Sequence, residues 1–334
     1  MKTPDLKDPD VGTPALGPLL DEYLQLRRAL GYKLAREESQ LRGFVAFLKN
    51  KNAPRITSAL ALEFAAGGRE RALATRKNYL CAIRGFARYA SAMGFCAEEP
   101  PPGLLGRRPA PAPAHIYTGR EVARLLALAR KHPAAKNRAR RHSLKPKTLY
   151  TLTGLLAATG MRLGEALKLK HEDIDWKEKT LRIGNAKFLK SRLVPVHPTT
   201  LEKLRAYARA RKNFFAARAR AATPWFFVTT QGNALTASQA SREFRQLLQR
   251  AGLRKAGERR GPRLHDLRHR FATATLLRWY ESGGEVGNAL PVLATYLGHG
   301  RASATYWYLR NTPALMAAAK KRLEQHWKGA AHGR

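Results

Sequence analysis

The stretch AEEPPPGLLGRRPAPAPA, residues 97–114, sets the plan of this chain. Proline has no amide hydrogen to give to a helix or a sheet, and its ring holds the backbone near polyproline II. A run of this kind predicts a stiff linker over 98–115, with a domain on each side. The chain has 334 residues, 44% of them hydrophobic, which is enough for two cores of ordinary size. The expected domains are 15–97 and 116–311, followed by a C-terminal helix or tail over 312–334.

Before the linker, apolar residues recur at helical spacing. Leu19, Leu20, Tyr23, Leu24 and Leu26 make one stripe. Leu41, Phe44, Val45 and Leu48 make a second, and Tyr79, Ile83, Phe86, Ala90 and Met93 a third. Gly31 and Gly94 stand where helix C-caps are expected. After the linker, Thr118 and Glu121 have capping-box spacing at the head of an amphipathic helix. The period then changes. Thr180–Ile183 and Arg192–Val196 alternate like strands, with GNAKFLKS turning between them. Helical spacing returns at 200–220, 236–252, 263–280, 290–297 and 301–326. The expected fold class is mainly α: a helical N-terminal domain, then a mixed α/β domain that is mostly helical with a small antiparallel sheet.

Charge narrows the partner. Lys and Arg total 62 against 24 Asp and Glu, a formal net charge of +38. A compact chain with that excess repels itself unless a polyanion neutralises it. Double-stranded DNA is the expected partner, because each neutralised phosphate releases counterions. A membrane surface would call for a basic amphipathic helix or a lipidation signal, and neither is present in the sequence. No signal peptide or apolar span is seen, so the expected location is the bacterial cytoplasm, at the nucleoid. Cys81 and Cys96 are too few for a disulfide framework or a four-cysteine zinc site, and read as buried thiols. For any single basic residue a solvated face is the plain reading. The excess of one sign over whole helices favours phosphate contact instead. Expected DNA contacts are Arg76, Lys77 and Arg84; Arg138, Arg140, Arg141, Lys145 and Lys147 in the loop KNRARRHSLKPK; and Lys190 and Arg192 near the strand turn.

Four places could carry chemistry. In ATGMRLGEAL, Arg162 and Glu165 are three apart and can meet on a helix, so the carboxylate can hold the guanidinium for a phosphate. In HDLRH, His265 and His269 share a face in a pattern like a zinc site, but Arg268 would place a fixed cation beside the metal. His265 with Arg268 better suits a phosphodiester, as a proton-transfer group beside a second guanidinium. Lys187 and Lys190 sit in the strand turn, where an ammonium can protonate a leaving alkoxide. HGRASATYWYLRNTP contains His299, Tyr306 and Tyr308. Together they fit one reaction, in which a tyrosine oxygen attacks a phosphodiester held by two arginines. The covalent phosphotyrosine keeps the energy of the broken bond, so neither ATP, metal nor other cofactor is called for.

In this order the motifs resemble those of the tyrosine recombinases, the phage integrase family. The resemblance implies Arg162 as first catalytic arginine and Glu165 as its supporting acid. It implies Lys187 as the catalytic lysine, six residues before the leucine of LVP, and His265 and Arg268 as the His-x-x-Arg pair. It implies His299 as the LGH histidine and Tyr308, nine residues on, as the nucleophile. Tyr306 and Tyr308 lie about 200° apart around a helix, so only one can face a given phosphate. The N-terminal domain resembles the SAM-like core-binding domain of the family. The family further implies a C-shaped clamp on inverted-repeat recombination sites. Protomers would act as a dimer on each site and as a tetramer in synapsis, with the C-terminal tail docked on a neighbour. RKAGERRGP, residues 254–262, and the basic loop exceed a minimal enzyme, and TYWYL is closest to mobile-element members, for integration, excision or transposition. The alternatives are an accessory DNA-binding subunit that needs partner recombinases, a type IB topoisomerase, and a zinc hydrolase on His265 and His269.

Overall fold

The computed structural model describes residues 16–67, 71–106, 113–131, 143–184, 191–219, 223–258, 260–282, 286–298 and 313–331, with side chains described for all of these except 286–288 and 325–331. The chain divides into two compact units, Met1–Pro111 and Ala112–Arg334. The division falls inside the proline-rich stretch.

The first unit contains α1 (Leu16–Ala29), α2 (Ala35–Asn50), α3 (Ser58–Ala66) and α4 (Leu73–Ala92). Their stripes meet in a core that includes Leu20, Leu24, Leu41, Phe44, Leu48, Ile83 and Phe86. Gly31 and Gly94 take the left-handed conformation that ends a helix, at φ 85 and 82. Not every striped residue is inside. The last turn of α1 carries Leu26 and the following Leu30 to solvent, and Met93 is exposed at the end of α4. Both cysteines are exposed, contrary to the buried reading. Cys81 lies about 100° around α4 from the buried Leu80, and Cys96 follows the buried Phe95 in extended chain, where side chains alternate.

The start of the expected linker is not a free spacer. Ala97 forms a parallel bridge with Ile56, and the Glu98 amide donates to the Ile56 carbonyl at 2.8 Å. Arg84 donates to the Pro100 and Pro101 carbonyls at 2.6 and 2.8 Å, Arg88 pairs with Glu99, and Lys77 donates to the Gly106 carbonyl. The prolines have no amide hydrogen to bond through, and side chains from α4 reach the carbonyls of this stretch. Arg84 and Lys77, expected on DNA, are engaged in this strap. Arg76 donates to the Arg71 carbonyl at 2.8 Å.

The second unit opens with α5 (Gly119–Arg130). Its capping box is closed both ways, the Thr118 amide to Glu121 at 2.6 Å and the Glu121 amide to Thr118 Oγ1 at 3.1 Å. Then come α6 (Lys145–Thr159), α7 (Leu163–Leu167), β1 (Ile174–Asp175), β2 (Thr180–Ile183), β3 (Arg192–Pro195), α8 (Pro198–Ala216), α9 (Ala237–Arg250), α10 (Asp266–Glu281), α11 (Val286–Leu297) and α12 (Pro313–Ala331). Lys145 and Lys147, expected in a loop, belong to the first turn of α6, where Lys145 lies 3.8 Å from Glu243. Arg138, Arg140 and Arg141 lie outside the described residues.

The three strands are antiparallel in the order β1-β2-β3, with Leu181 paired to Ile174 on one side and Val194 on the other. Those three residues are buried, as is Ile183, so one face of the sheet packs on the core while Leu193 points out. β1 is too short to show alternation in the sequence. α6 is buried on most sides, including Thr151, Leu152, Leu155 and Leu156. The Thr148 and Tyr207 hydroxyls meet at 3.1 Å to satisfy its polar atoms. A smaller cluster joins Ala272, Leu276, Leu290, Leu293, Leu297 and Leu315. Leu315 thus seats the first turn of α12 on its own chain, while Met316 and Leu323, in the tail expected to dock on a neighbour, stay exposed. Among the described residues, no helix is long and apolar enough to cross a membrane.

Candidate active site

α6 ends at Gly160, which has φ 60. A Cβ there would lie 2.5 Å from the Phe271 ring, so only glycine makes the turn with α10 this close. The turn leads into Arg162 and α7. Glu165 Oε2 accepts the Arg162 amide at 2.8 Å and Oε1 accepts the Arg162 guanidinium at 2.9 Å. The same carboxylate accepts both terminal nitrogens of Arg192, at 3.1 and 2.8 Å. Its side chain is 9% exposed and that of Arg192 12%. Burial by itself would raise the Glu165 pKa. The hydrogen bonds from Arg192 and Arg162 and the Arg192 charge outweigh it and hold the carboxyl below its ordinary range.

The end of α11 gathers the arginines. The last carbonyls of a helix lack intrahelical partners and carry the negative end of its dipole. Here three in a row each accept from a different arginine. Tyr296 accepts from Arg192 Nε at 2.9 Å, Leu297 from Arg268 at 2.8 Å, and Gly298 from Arg162 at 2.7 Å. Arg268 also donates to the Gly160 carbonyl at 2.9 Å, which ties the turn after α6 to the end of α11. Arg268 is 3% exposed, whereas the Arg162 side chain is 39% exposed. Gly298 has φ 67, and a Cβ there would lie 2.7 Å from Arg192.

His265 stands at the N-cap position of α10, with no side-chain capping bond, and is open to solvent on one side. Desolvation of the rest of the ring, then the Arg268 charge, lower its pKa and favour the neutral form. The His265 and His269 rings stand edge to face at 5.0 Å. Burial and the neighbouring His265 push His269 down to about 4. Beneath them Asp266 accepts the Arg263 amide at 2.9 Å and its guanidinium at 3.0 Å, which fixes where the helix begins. The described His, Cys, Asp and Glu residues form no group of three that could hold a metal ion.

This arrangement presents one partly open guanidinium, one buried guanidinium and one neutral imidazole beside a helix end, a set suited to a phosphodiester. Residues 117–314 match the model of the phage integrase family. The chain belongs to that family. It is a tyrosine recombinase by its relatives as well. It is 43% identical over 312 residues to "Putative integrase/recombinase y4rB" of Sinorhizobium fredii, covering 92% of this chain and 97% of that one. It is 27% identical to tyrosine recombinase XerC of Chlamydia caviae over 70% of this chain and 66% of that one. The fold is that of the Tn1549 transposon integrase solved with transposon right end DNA (TM-score 0.61, 15% identity, 93% of this chain and 99% of that one). It is also that of a lambda integrase dimer solved on a COC′ core site (TM-score 0.58, 19% identity, 88% and 76%).

In this recombinase Arg162, Glu165 and Arg268 converge on the α11 end, and His265 lies one turn before Arg268. Lys187, Lys190, His299, Tyr306 and Tyr308 lie outside the described residues. Arg192, expected on DNA, directs its guanidinium at Glu165 and the Tyr296 carbonyl. Strand alternation alone carried the signal, since it puts Arg192 on the same face as the buried Val194. Gly160 and Gly298 were missed as site residues. For Gly298 the signal was legible, a glycine directly after the last apolar residue of a helix.

Proposed function

We propose that this recombinase performs site-specific DNA strand exchange through a covalent 3′-phosphotyrosyl intermediate on Tyr308. The observation that carries the reading is the pair Arg162 and Arg268, both fixed by carbonyls at the end of α11, one residue before His299 and ten before Tyr308. Two guanidinium groups held there can grip the non-bridging oxygens of one phosphate without reorganising during the reaction.

The Tyr308 oxygen attacks phosphorus and the bond to the 5′ oxygen breaks. The tyrosine proton passes to neutral His265, and Lys187 protonates the departing 5′ oxygen. In rejoining, a 5′ hydroxyl of the partner strand attacks the phosphotyrosine and releases the tyrosine. The number of phosphodiester bonds is conserved, so no ATP is consumed. The guanidinium groups supply the positive charge, so no metal is called for. The partner is double-stranded DNA with inverted-repeat sites, bound by a dimer per site and a tetramer in synapsis. The lambda integrase dimer on its core site supports this reading. The Tn1549 integrase likewise supports a role in mobile-element integration, excision or transposition.

The test is a nicked suicide duplex that blocks religation, drawn from a randomised library by retention of protein-linked DNA. A covalent adduct is expected in EDTA, lost in Tyr308→Phe and kept in Tyr306→Phe. An adduct that survives Tyr308→Phe overturns the assignment.

A further inference from the structure

Arg192 is a buried cation with every guanidinium nitrogen directed at protein. NH1 and NH2 fork onto Glu165, and Nε reaches the Tyr296 carbonyl. These bonds use three of its five N–H groups and leave the side chain 12% exposed. Stability alone does not explain the pair. Two charges taken from water lose solvation, and an apolar pair of the same size often does as well. What the fork does that an apolar pair cannot is join three elements at fixed distances: β3, the start of α7, and the end of α11. The chain at Gly298 closes directly onto the guanidinium, since a Cβ there would sit 2.9 Å from the Arg192 Cζ.

We infer that Arg192 is a positioning residue: it ties Glu165 to the end of α11 and so fixes where Arg162 stands at the scissile phosphate. This role rests on the strand-exchange reading above. It acts through other groups, without touching DNA. With Arg192 removed, Glu165 keeps its burial and loses the strongest of the hydrogen bonds that hold it ionised. The charged group that then remains bonded to it is Arg162, at the head of α7. The Tyr296 phenol, pushed up to about 12 by burial, stays neutral, and His265 lies near Arg162 from the start of α10. A protonated Glu165 no longer pins Arg162 by charge, and Arg162 loses its hold on the Gly298 carbonyl.

Two experiments on the full chain test this. The first needs no DNA: the side-chain carboxyl of Glu165 is followed by carbon NMR against pH, assigned with Glu165→Gln. Arg192→Gln is expected to move its midpoint upward by about one to three units, and Arg192→Lys by less. An unmoved midpoint overturns the inference whatever the protein does to DNA. The second is single-turnover adduct formation on the nicked duplex. Arg192→Gln is expected to slow it by about ten- to a hundred-fold with DNA affinity unchanged. The rate should acquire an acid limb that follows the Glu165 midpoint, with part of it restored in Arg192→Lys. A loss equal at every pH, or one that tracks weaker DNA binding, overturns it. Should Arg192→Gln fail to fold, Arg192→Lys carries both measurements. Should the native protein form no adduct, the strand-exchange reading falls while the NMR titration still decides this one.

Discussion

Arg162 donates to the carbonyl of Gly298 at 2.7 Å, across 136 residues of chain. The bond ties the first arginine of the site to the last turn of α11, and the chain continues from there toward Tyr308. The same helix end also holds Arg268 and Arg192. One short stretch of backbone therefore fixes three guanidinium groups relative to one another.

Gly298→Ala should break that arrangement. Its φ of 67 costs an L residue about 1–2 kcal/mol, and the new methyl collides with Arg192. Urea unfolding should report a loss of about 2 kcal/mol, and adduct formation should fall by at least about ten-fold. A variant of native stability and rate would mean that the close approach of Gly298 to Arg192 is unimportant.

Arg268→Lys keeps the charge and loses the fork. A single ammonium cannot reach both the Gly160 and the Leu297 carbonyls, so one buried acceptor is left unpaired at about 1–3 kcal/mol. Adduct formation should fall by about a hundred-fold or more, with half-site binding retained. Thermal unfolding and a gel-shift assay separate the two effects. Loss of binding in step with loss of cleavage would place Arg268 in DNA affinity instead.

Stability should decline on the acid side of neutrality. His265 and His269 both have folded pKa values below the ordinary 6.5, His269 at about 4. Below pH 6.5 the unfolded chain binds these protons and the folded chain resists them. Their effect is therefore absent above pH 6.5 and grows as pH falls toward 4. For His269 it amounts to at most about 3 kcal/mol. Urea midpoints measured between pH 7.5 and 4.5 should fall less in His269→Gln than in the native protein. Parallel curves for the two proteins would remove His269 from the account.

Much of the fold was legible because helix and strand periods are local. The stripes at Leu41–Leu48 and Tyr79–Ala90, the capping box at Thr118 and the alternation in β2 and β3 all follow from side chains a few residues apart. Other readings depended on what lies opposite. Cys81 follows Leu80 and Leu26 continues the apolar stripe of α1, yet both face solvent, because the face that is covered is chosen by the partner helix. The proline-rich stretch was read as a linker and not as a strap, since most of the bonds that hold it come from side chains of α4.

The sequence by itself determined which residue types the candidate site could draw on and their order: Arg162, Glu165, Lys187, His265, Arg268, His299 and Tyr308, spread over a few short motifs. Those motifs need only local spacing to be recognised. The tertiary structure decided what each arginine is for. Arg162 is left partly open, Arg268 is buried on two carbonyls, and Arg192 is held by Glu165 and the Tyr296 carbonyl. These outcomes depend on carbonyls and a carboxylate 27 to 136 residues away along the chain. A guanidinium has five donors and goes where the buried acceptors are, and only the folded chain sets where those acceptors lie.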